Sequence, residues 1–453
     1  MNTAQYESES VTDRLTAGHE YRKAVPRGAH AAWSPPPDRA DPIALLQQAD
    51  PERLQHLVPI RYGRMMESPL GYLRGAAAVM ARDLATTPAT GILVQLAGDA
   101  HLANFGAYGT PERNLVFGVN DFDETLRGPW EWDVKRLATS VVVAGRSVGL
   151  SAAGCSAAAR ATVRSYRERM AQYAQMGYMA MYYGQVDEST ISATTLTSLQ
   201  RGQVEKAAAK AQTRDNLQAL RKLTTTVDGR LRIKDYPPLV THISDPLLGD
   251  RVQQLSQDYI GTLQADRQAL LTRYSFLDAA LKVVGVGSVG TRCFIVLFTG
   301  ASDDDPLFLQ IKEAQASVLE PYLGASPCPT HGQRVVEGQR LIQPASDIFL
   351  GWGSESHRDY YVRQLRDMKT TVNLSRMRPS DLFAYGSLCG WALALAHARS
   401  GDPAEISGYL GKSDTFDRAL TVFANAYADQ TERDHAALVA AVNSGRVPAQ
   451  PGV

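Results

Sequence analysis

The sequence predicts an α+β fold of two unequal lobes, a large helical lobe and a small antiparallel β-rich lobe inserted into it. Three observations predict it. Apolar residues recur at helical spacing from Pro42 to about Leu84 and over much of 151–275. At Leu281 the character changes to β-branched, Gly-rich runs, LKVVGVGSVGTRCFIVLF and then PLFLQIKEA. Helical character returns after Asp381 in LFAYGSLCGWALALAHARSG and DTFDRALTVFANAYADQ. The expected parts are a flexible arm at 1–40, a helical part at 41–278, a β-rich part at 279–370 and a helical part at 371–453 that completes the large lobe.

Taken in order, the arm is polar and carries the Pro-rich run WSPPPDRADP, which reads as a mobile tail or a wrapping arm. Leu45, Leu46, Leu54, Leu57 and Val58 then fall at three- and four-residue intervals, and GYLRGAAAVMARDLA is Ala-rich. Arg61, Arg64 and Arg74 lie here, read as solvated helix-face charges, with a phosphate clamp as the alternative. Gly91–Leu96 is a short apolar strand that leads into Gly98 and Asp99. Asp133 stands near the start of an apolar helix, as an N-cap or as a brace for the preceding loop. Farther on, VEKAAAKAQTRDNLQALRKL reads as helix and TTTVDGRLRIK as a hairpin turning at Asp228-Gly229. YPPLVTHISDP is a breaker-rich loop whose His242 reads as a surface or capping residue. Within the β-rich part, an acidic turn at Asp303–Asp305 precedes PLFLQIKEA, and a helix at Ala314–Tyr322 follows. QRVVEGQRLIQ and DYYVRQLRDMK read as strands.

Composition excludes several classes. Lys+Arg and Asp+Glu are both 47 in 453 residues, so no net field advertises nucleic acid or an anionic membrane. Four scattered cysteines without a Cys-x-x-Cys argue against a zinc site or disulfide framework and fit a reducing cytoplasm. MNTAQYESES lacks the features of a secretory signal. The most apolar region, Leu137–Ala159, contains Arg146 and reads as buried helix, not membrane span.

Chemistry concentrates in LAGDAHLANFGAYGTPERNLVFGVNDFDET. Asp99, Asn104 five positions on, and Asp121 in Asn-Asp-Phe-Asp follow the order of a phosphoryl-transfer site. One carboxylate orients an acceptor hydroxyl, while an Asn and a second carboxylate hold Mg²⁺ against ATP phosphates. Gly285, Gly287 and Gly290 form G-x-G-x-x-G, with Val286 and Ser288 between them. A dinucleotide-binding motif would open a helix here, but Thr291-Arg-Cys-Phe-Ile-Val-Leu-Phe favours a strand. Strand, Gly-rich turn, strand is the hairpin that covers ATP phosphates, and Lys312 on the next strand is placed to pair with them. Glu320 is the expected partner of Lys312. Glu313 is second, because neighbours on a strand face opposite ways. Gln364, Leu365 and Arg366, in the Gln364–Met368 stretch, are the expected adenine hinge. The acid-Asn-acid set precedes the Gly-rich loop, the reverse of ordinary kinases, and the helix ending LALAHARSG resembles the one that normally leads into the catalytic loop. Circular permutation of a protein-kinase-like two-lobe fold explains both, and it is cheap where the joined ends lie close.

Several long motifs, among them SPLGYLRGAA, GDAHLANFG, NDFDET, VVGVGSVGTRC, LQIKEAQASVLE and RVVEGQRLIQPASDIFLGW, resemble the bacterial family catalogued as domain of unknown function 2252, over about residues 55–440. GDAHLANFG and NDFDET are more distantly similar to the aminoglycoside phosphotransferase and protein-kinase-like group. That similarity implies Asp99 as catalytic base, Asn104 and Asp121 as Mg²⁺ ligands, Asp133 as loop brace and Lys312 on the α/β-phosphates. Asp123 takes the place of the usual Gly in D-F-G, so Asp121 and Asp123 both remain candidate metal ligands. The expected function is an ATP- and Mg²⁺-dependent phosphotransferase acting on a hydroxyl of a small molecule in preference to a protein. A nucleotide-binding pseudokinase, transfer of AMP and, last, an oxidoreductase are the alternatives.

Overall fold

The computed structural model describes residues 9–192, 216–242, 248–302, 304–365, 370–372, 374 and 377–453. The fold is α+β with antiparallel sheets. Strands β1 (Leu93–Leu96) and β4 (Leu126–Pro129) pair, and β2 (Phe105–Gly109) and β3 (Leu115–Val119) form a hairpin. β5 (Thr224–Val227) and β6 (Arg230–Ile233) make the expected hairpin, with Asp228 and Gly229 both at positive φ, as a tight two-residue turn requires.

The main sheet contains β7 (Val240–Thr241), β8 (Ser275–Lys282), β9 (Cys293–Thr299), β10 (Pro306–Ala314), β11 (Gly351–Glu355) and β12 (Arg358–Gln364), in the order β11-β12-β10-β9-β8-β7. It therefore begins earlier than the change in composition at Leu281. Central β10 is buried at every position. Val296, Leu309 and Val362 face one apolar layer with Leu255 and Tyr259 of the Leu248–Gly261 helix. Ile295, Leu297 and Phe308 face another with Ile233. Burial on both faces explains why β10 reads as a nearly continuous apolar run.

Three expectations change. QRVVEGQRLIQ is not a strand but most of the His331–Ile342 helix, capped by Thr330 Oγ1, which accepts from Gln333 N at 3.2 Å. Val335, Val336, Gln339 and Ile342 are buried at helical spacing, which outweighs the strand preference of two adjacent valines. The helix expected at 314–322 is only Glu320–Leu323, because β10 runs on to Ala314. The arm is not free over its described residues. The Val11–Ala24 helix lies against the Pro403–Leu410 helix so closely that a Cβ on Gly18 would sit 2.0 Å from Glu405 O, and one on Gly408 would sit 2.1 Å from Leu15 O. Arg14 pairs with Asp402 at 2.8 Å, and Trp33 packs on Tyr427 with ring centres 4.7 Å apart. Composition shows polarity but not this backbone-to-backbone fit. Most of VEKAAAKAQTRDNLQALRKL lies outside the described residues, as do Asp303 and Arg366.

The helical lobe is built from Glu131–Ser147, Ala152–Tyr173, Pro379–Ser400 and Thr415–Asn443 around an aromatic centre in which Trp130 stacks on Tyr166. No described helix is long and apolar enough to cross a membrane.

Candidate active site

β1 delivers the chain into a loop whose shape is set by its own residues. Gly98 sits at φ +81°, and a Cβ there would lie 2.2 Å from Glu124 O. Only glycine fits that position. Ala97 N and Gly98 N donate to the Asp133 carboxylate at 2.7 and 3.1 Å, and His397 Nε2 lies 3.3 Å from the same group. Asp133 is thus the loop brace and not an N-cap. Asn104 Nδ2 donates to Asp99 O at 2.8 Å, and Asn104 O accepts from Asn120 N at 3.0 Å. The two acidic segments are therefore joined through Asn104.

The chain then runs through the β2–β3 hairpin to Asp121 and Asp123. Arg334, from the His331–Ile342 helix, donates to the carbonyls of Asp123, Thr125 and Gln315 at 2.9, 2.6 and 2.7 Å and holds this turn in place. Gly338 allows the same helix to approach, since a Cβ there would meet Thr125 Cγ2 at 2.4 Å.

The Gly-rich loop between β8 and β9 reaches this point from the other lobe. Gly285 and Gly290 have φ +65° and +92°. Arg53 Nη1 donates to Gly287 O and Val289 O at 2.9 and 2.5 Å, and Arg64 Nη1 donates to Gly285 O at 2.6 Å. Val286 is buried among Val58, Tyr62 and Met65. The loop is thereby docked on the helical lobe. Asp99, Asn104, Asp121, Asp123 and Gly285–Ser288 line one cavity of about 190 Å³. Ser288 and Asp123, 165 positions apart, are joined by a 3.0 Å hydrogen bond.

Lys312, on β10 opposite Tyr361 of β12, is ion-paired with Asp123 and lies 3.9 Å from Asp121. Glu320 is not its partner. That carboxylate accepts from Ser317 N and faces Arg334, 3.8 Å away, because the short helix carrying it starts too late to reach Lys312. Glu313 points the other way, to Arg292 and Arg358, as strand alternation requires. Tyr361 Oη also donates to Asp123, at 2.8 Å.

Of the hinge residues, Gln364 lines a separate cavity of about 230 Å³ with Asn120, Gln339 and Arg363. Leu365 is buried beside Phe308. Neither borders the cavity under the Gly-rich loop. His242 bridges Asp235 and Asp278 at 2.8 and 2.9 Å, away from the cleft, and ties strands together.

Charge in the cleft is set by burial against specific partners. Burial drives the Asp99 carboxyl up to about 7, against the pull of Arg136, which is ion-paired with it. Burial also acts against a charged Lys312, but Asp121 and Asp123 outweigh it and hold the ammonium well above its ordinary range. For Asp123 burial is outweighed by Lys312, and its carboxyl lies below the ordinary value. His101, 3.5 Å from Asp99, is pushed far down by burial and then by Arg74 and Arg136, so it is neutral.

Arg136, His101 and Arg334 escaped sequence reasoning as site residues. For Arg136 a signal existed. It stands three residues after Asp133, on the same helix face, so a helix that braces Gly98 through one residue reaches Asp99 through the other. Arg61 and Arg74, read first as surface charges with a phosphate clamp as the alternative, line the cleft. Among the described residues no three His, Cys, Asp or Glu side chains converge as a metal cage.

A family model described as an uncharacterized protein conserved in bacteria, DUF2252, matches residues 53–441. The chain belongs to that family. Its matched span contains every cleft residue named above, from Arg53 to Tyr361. For this DUF2252 member, neither the curated proteins nor the solved structures returned a match.

Proposed function

We propose that this cleft is the site of an ATP- and Mg²⁺-dependent phosphotransferase that moves the γ-phosphoryl group to a hydroxyl of a small-molecule acceptor. One observation carries the reading. An acid-Asn-acid segment at 99–123 and a Gly-rich loop, distant in sequence, line a single cavity, and the strand lysine Lys312 is ion-paired with Asp123 at its wall. The same reading takes the fold as kinase-like and permuted. β8 to β12 with the His331–Ile342 helix make the small lobe. The Pro379–Ser400 helix ends beside β1, where Gln95 N donates to Ser400 Oγ at 3.1 Å, close to where an unpermuted chain would run on into the catalytic loop.

In this scheme Asp99 orients the acceptor hydroxyl and accepts its proton, and Arg136 fixes the carboxylate that does so. Lys312 and the amides of Gly285–Ser288 bind phosphate oxygens. The residues fit a Mg²⁺ ion: with Asn104 Nδ2 committed to Asp99 O, the Asn104 Oδ1 is the atom left to a cation, and hard oxygen donors are what Mg²⁺ takes. Asp121 is the more open carboxylate, at 33 % side-chain exposure against 26 % for Asp123, and has fewer protein partners, so it is assigned with Asn104 to the metal. A metal held there would neutralise charge on the phosphates.

The test is calorimetry of ATP with and without Mg²⁺ on wild type, Lys312→Ala and Asp99→Asn. The reading requires Mg²⁺-dependent binding that is lost in Lys312→Ala, and binding without turnover in Asp99→Asn. Absence of ATP binding by the wild type refutes it. Turnover retained by Asp99→Asn removes Asp99 from the chemistry and leaves the nucleotide site standing.

A further inference from the structure

The cation inventory of the cleft exceeds what its carboxylates use. Arg53, Arg61 and Arg74 all line the cavity, and the Nε of each is buried without a hydrogen-bond partner. Arg53 and Arg61 spend their terminal nitrogens on carbonyls and on Asp50, 3.3 Å from Arg61 Nη1. Arg74 differs. Among the described residues no hydrogen bond or ion pair holds its guanidinium, although Asp99 and Asp121 attract it through space. Most of the neighbouring carboxylates are committed elsewhere: Asp99 to Arg136, Asp123 to Lys312, Glu313 to Arg292 and Arg358, and Glu124 to Val318 N, which leaves Asp121, the carboxylate assigned above to the metal. Burial pulls both Arg53 and Arg74 below the ordinary guanidinium range, as expected of cations removed from water without full compensation.

Position says what would supply the missing oxygens. A Cβ on Gly287 would lie 3.3 Å from Arg74 O, so Arg74 sits directly beneath the Gly-rich loop. Lys312 answers to Asp121 and Asp123, whereas Arg74 answers to Asp99 and Asp121. Lys312 and Arg74 are therefore two separate cationic groups about this cavity, Lys312 3.9 Å from Asp121 and Arg74 lining the wall together with Asp99 and Asp121. A guanidinium matches the paired oxygens of phosphate or carboxylate.

We propose that Arg74, supported by the charges of Arg53 and Arg61, is a second oxyanion site in the cleft, and that the acceptor is a hydroxyl compound carrying a phosphate or carboxylate group. This rests on the phosphotransferase reading for the word acceptor, but the oxyanion site itself does not.

The experiment measures inorganic phosphate binding, by thermal shift and calorimetry, to wild type, Arg74→Met, Arg74→Lys and Lys312→Met, without nucleotide and then with saturating Mg-ADP or Mg-ATP. The site requires phosphate to stabilise wild type and Lys312→Met, and Arg74→Met to bind about tenfold or more weakly, the scale of one charged hydrogen bond. Arg74→Lys, which keeps the charge, checks that loss in the Met variant is not unfolding. Phosphate binding lost in Lys312→Met but kept in Arg74→Met overturns the proposal and leaves the nucleotide site intact. No phosphate binding to the wild type overturns it as well. An Arg74-dependent signal that survives Mg-ADP but disappears in Mg-ATP assigns the site to the terminal phosphate of the nucleotide and overturns the acceptor assignment. An Arg74-dependent signal in a protein that does not bind ATP sustains the oxyanion site and refutes the phosphotransferase reading.

Discussion

Asp99 provides a test that needs no substrate. Its carboxyl is raised from an ordinary 3.8 to about 7 by burial, opposed by Arg136. The gap of about three pH units corresponds to about 4 kcal/mol between the two protonation states. Below pH 4 the carboxyl is protonated in both folded and unfolded chains. Between about 4 and 7 the unfolded chain ionises first while the native one keeps its proton, so the native state binds more protons and this group's contribution to stability falls as pH rises. Above about 7 the contribution is constant. Asn at 99 cannot titrate, so the stability of wild type minus that of Asp99→Asn should decline by a few kcal/mol between pH 4 and 8 and then level off. Urea unfolding of both proteins at a series of pH values measures it, with shared titrations cancelling in the difference. A flat difference, or one that rises with pH, would mean that Arg136 dominates over burial and holds the carboxylate ionised, and the argument for a base poised near neutral pH would fail.

The remaining expectations concern single contacts. Arg136→Gln should move the same titration upward by about one to three pH units, since an opposite charge at contact distance depresses a carboxyl by that amount; an unmoved profile would make Arg136 structural only. Asp121→Asn should abolish the Mg²⁺ dependence of ATP binding, whereas Asp123→Asn should leave it and loosen the Gly-rich loop, read by proteolysis of the 283–292 segment. If the two variants exchange phenotypes, the metal assignment is reversed. Gly290→Ala places a Cβ at φ +92° and 3.0 Å from Arg53 Cβ, at a cost of about 1–2 kcal/mol of backbone strain, and should weaken ATP binding about tenfold or more. Gly18→Leu should release the N-terminal helix and lower stability by about 1–3 kcal/mol, detected by new cleavage near residues 25–40, because its Cβ would overlap Glu405 O.

What was legible in the sequence was local. The strand before Asp99 and the Asp228-Gly229 hairpin follow from residue types within a few positions, whereas Asp133 reads equally as an N-cap or a brace until the bonds it accepts from Ala97 N and Gly98 N, some 35 positions back, decide between them. What was not legible depends on neighbours far along the chain. QRVVEGQRLIQ carries strand-forming valines, and it becomes a helix because Arg334 and Gly338 must meet the 123–125 turn while Val335 and Val336 face the core. Arg61 and Arg74 look like ordinary helix-surface charges until the Gly-rich loop closes over them. Glu320 was expected to reach Lys312 from the presumed helix register, and the extension of β10 to Ala314 removes that register.

The extra acid in Asn-Asp-Phe-Asp then acquires a physical role. Asp123 accepts from Lys312 on the small lobe, from Ser288 on the Gly-rich loop and from Tyr361 on β12, so one carboxylate on the helical lobe gathers three elements of the other. A glycine in that place, as in D-F-G, would leave the Lys312 ammonium with Asp121 alone. Asp123 therefore holds the lobes together while Asp121 stays open to the cavity. Two adjacent tasks, closure and cation binding, would conflict on a single carboxylate, because a metal and an ammonium compete for the same oxygens. On the phosphotransferase reading, dividing them between two residues would let Lys312 turn towards a phosphate without removing the cation ligand from its place. The same logic explains why the Gly-rich loop is docked through carbonyls, by Arg53 and Arg64. Carbonyl anchoring uses the loop's acceptors, and on the same reading it would leave the amides to face an anion.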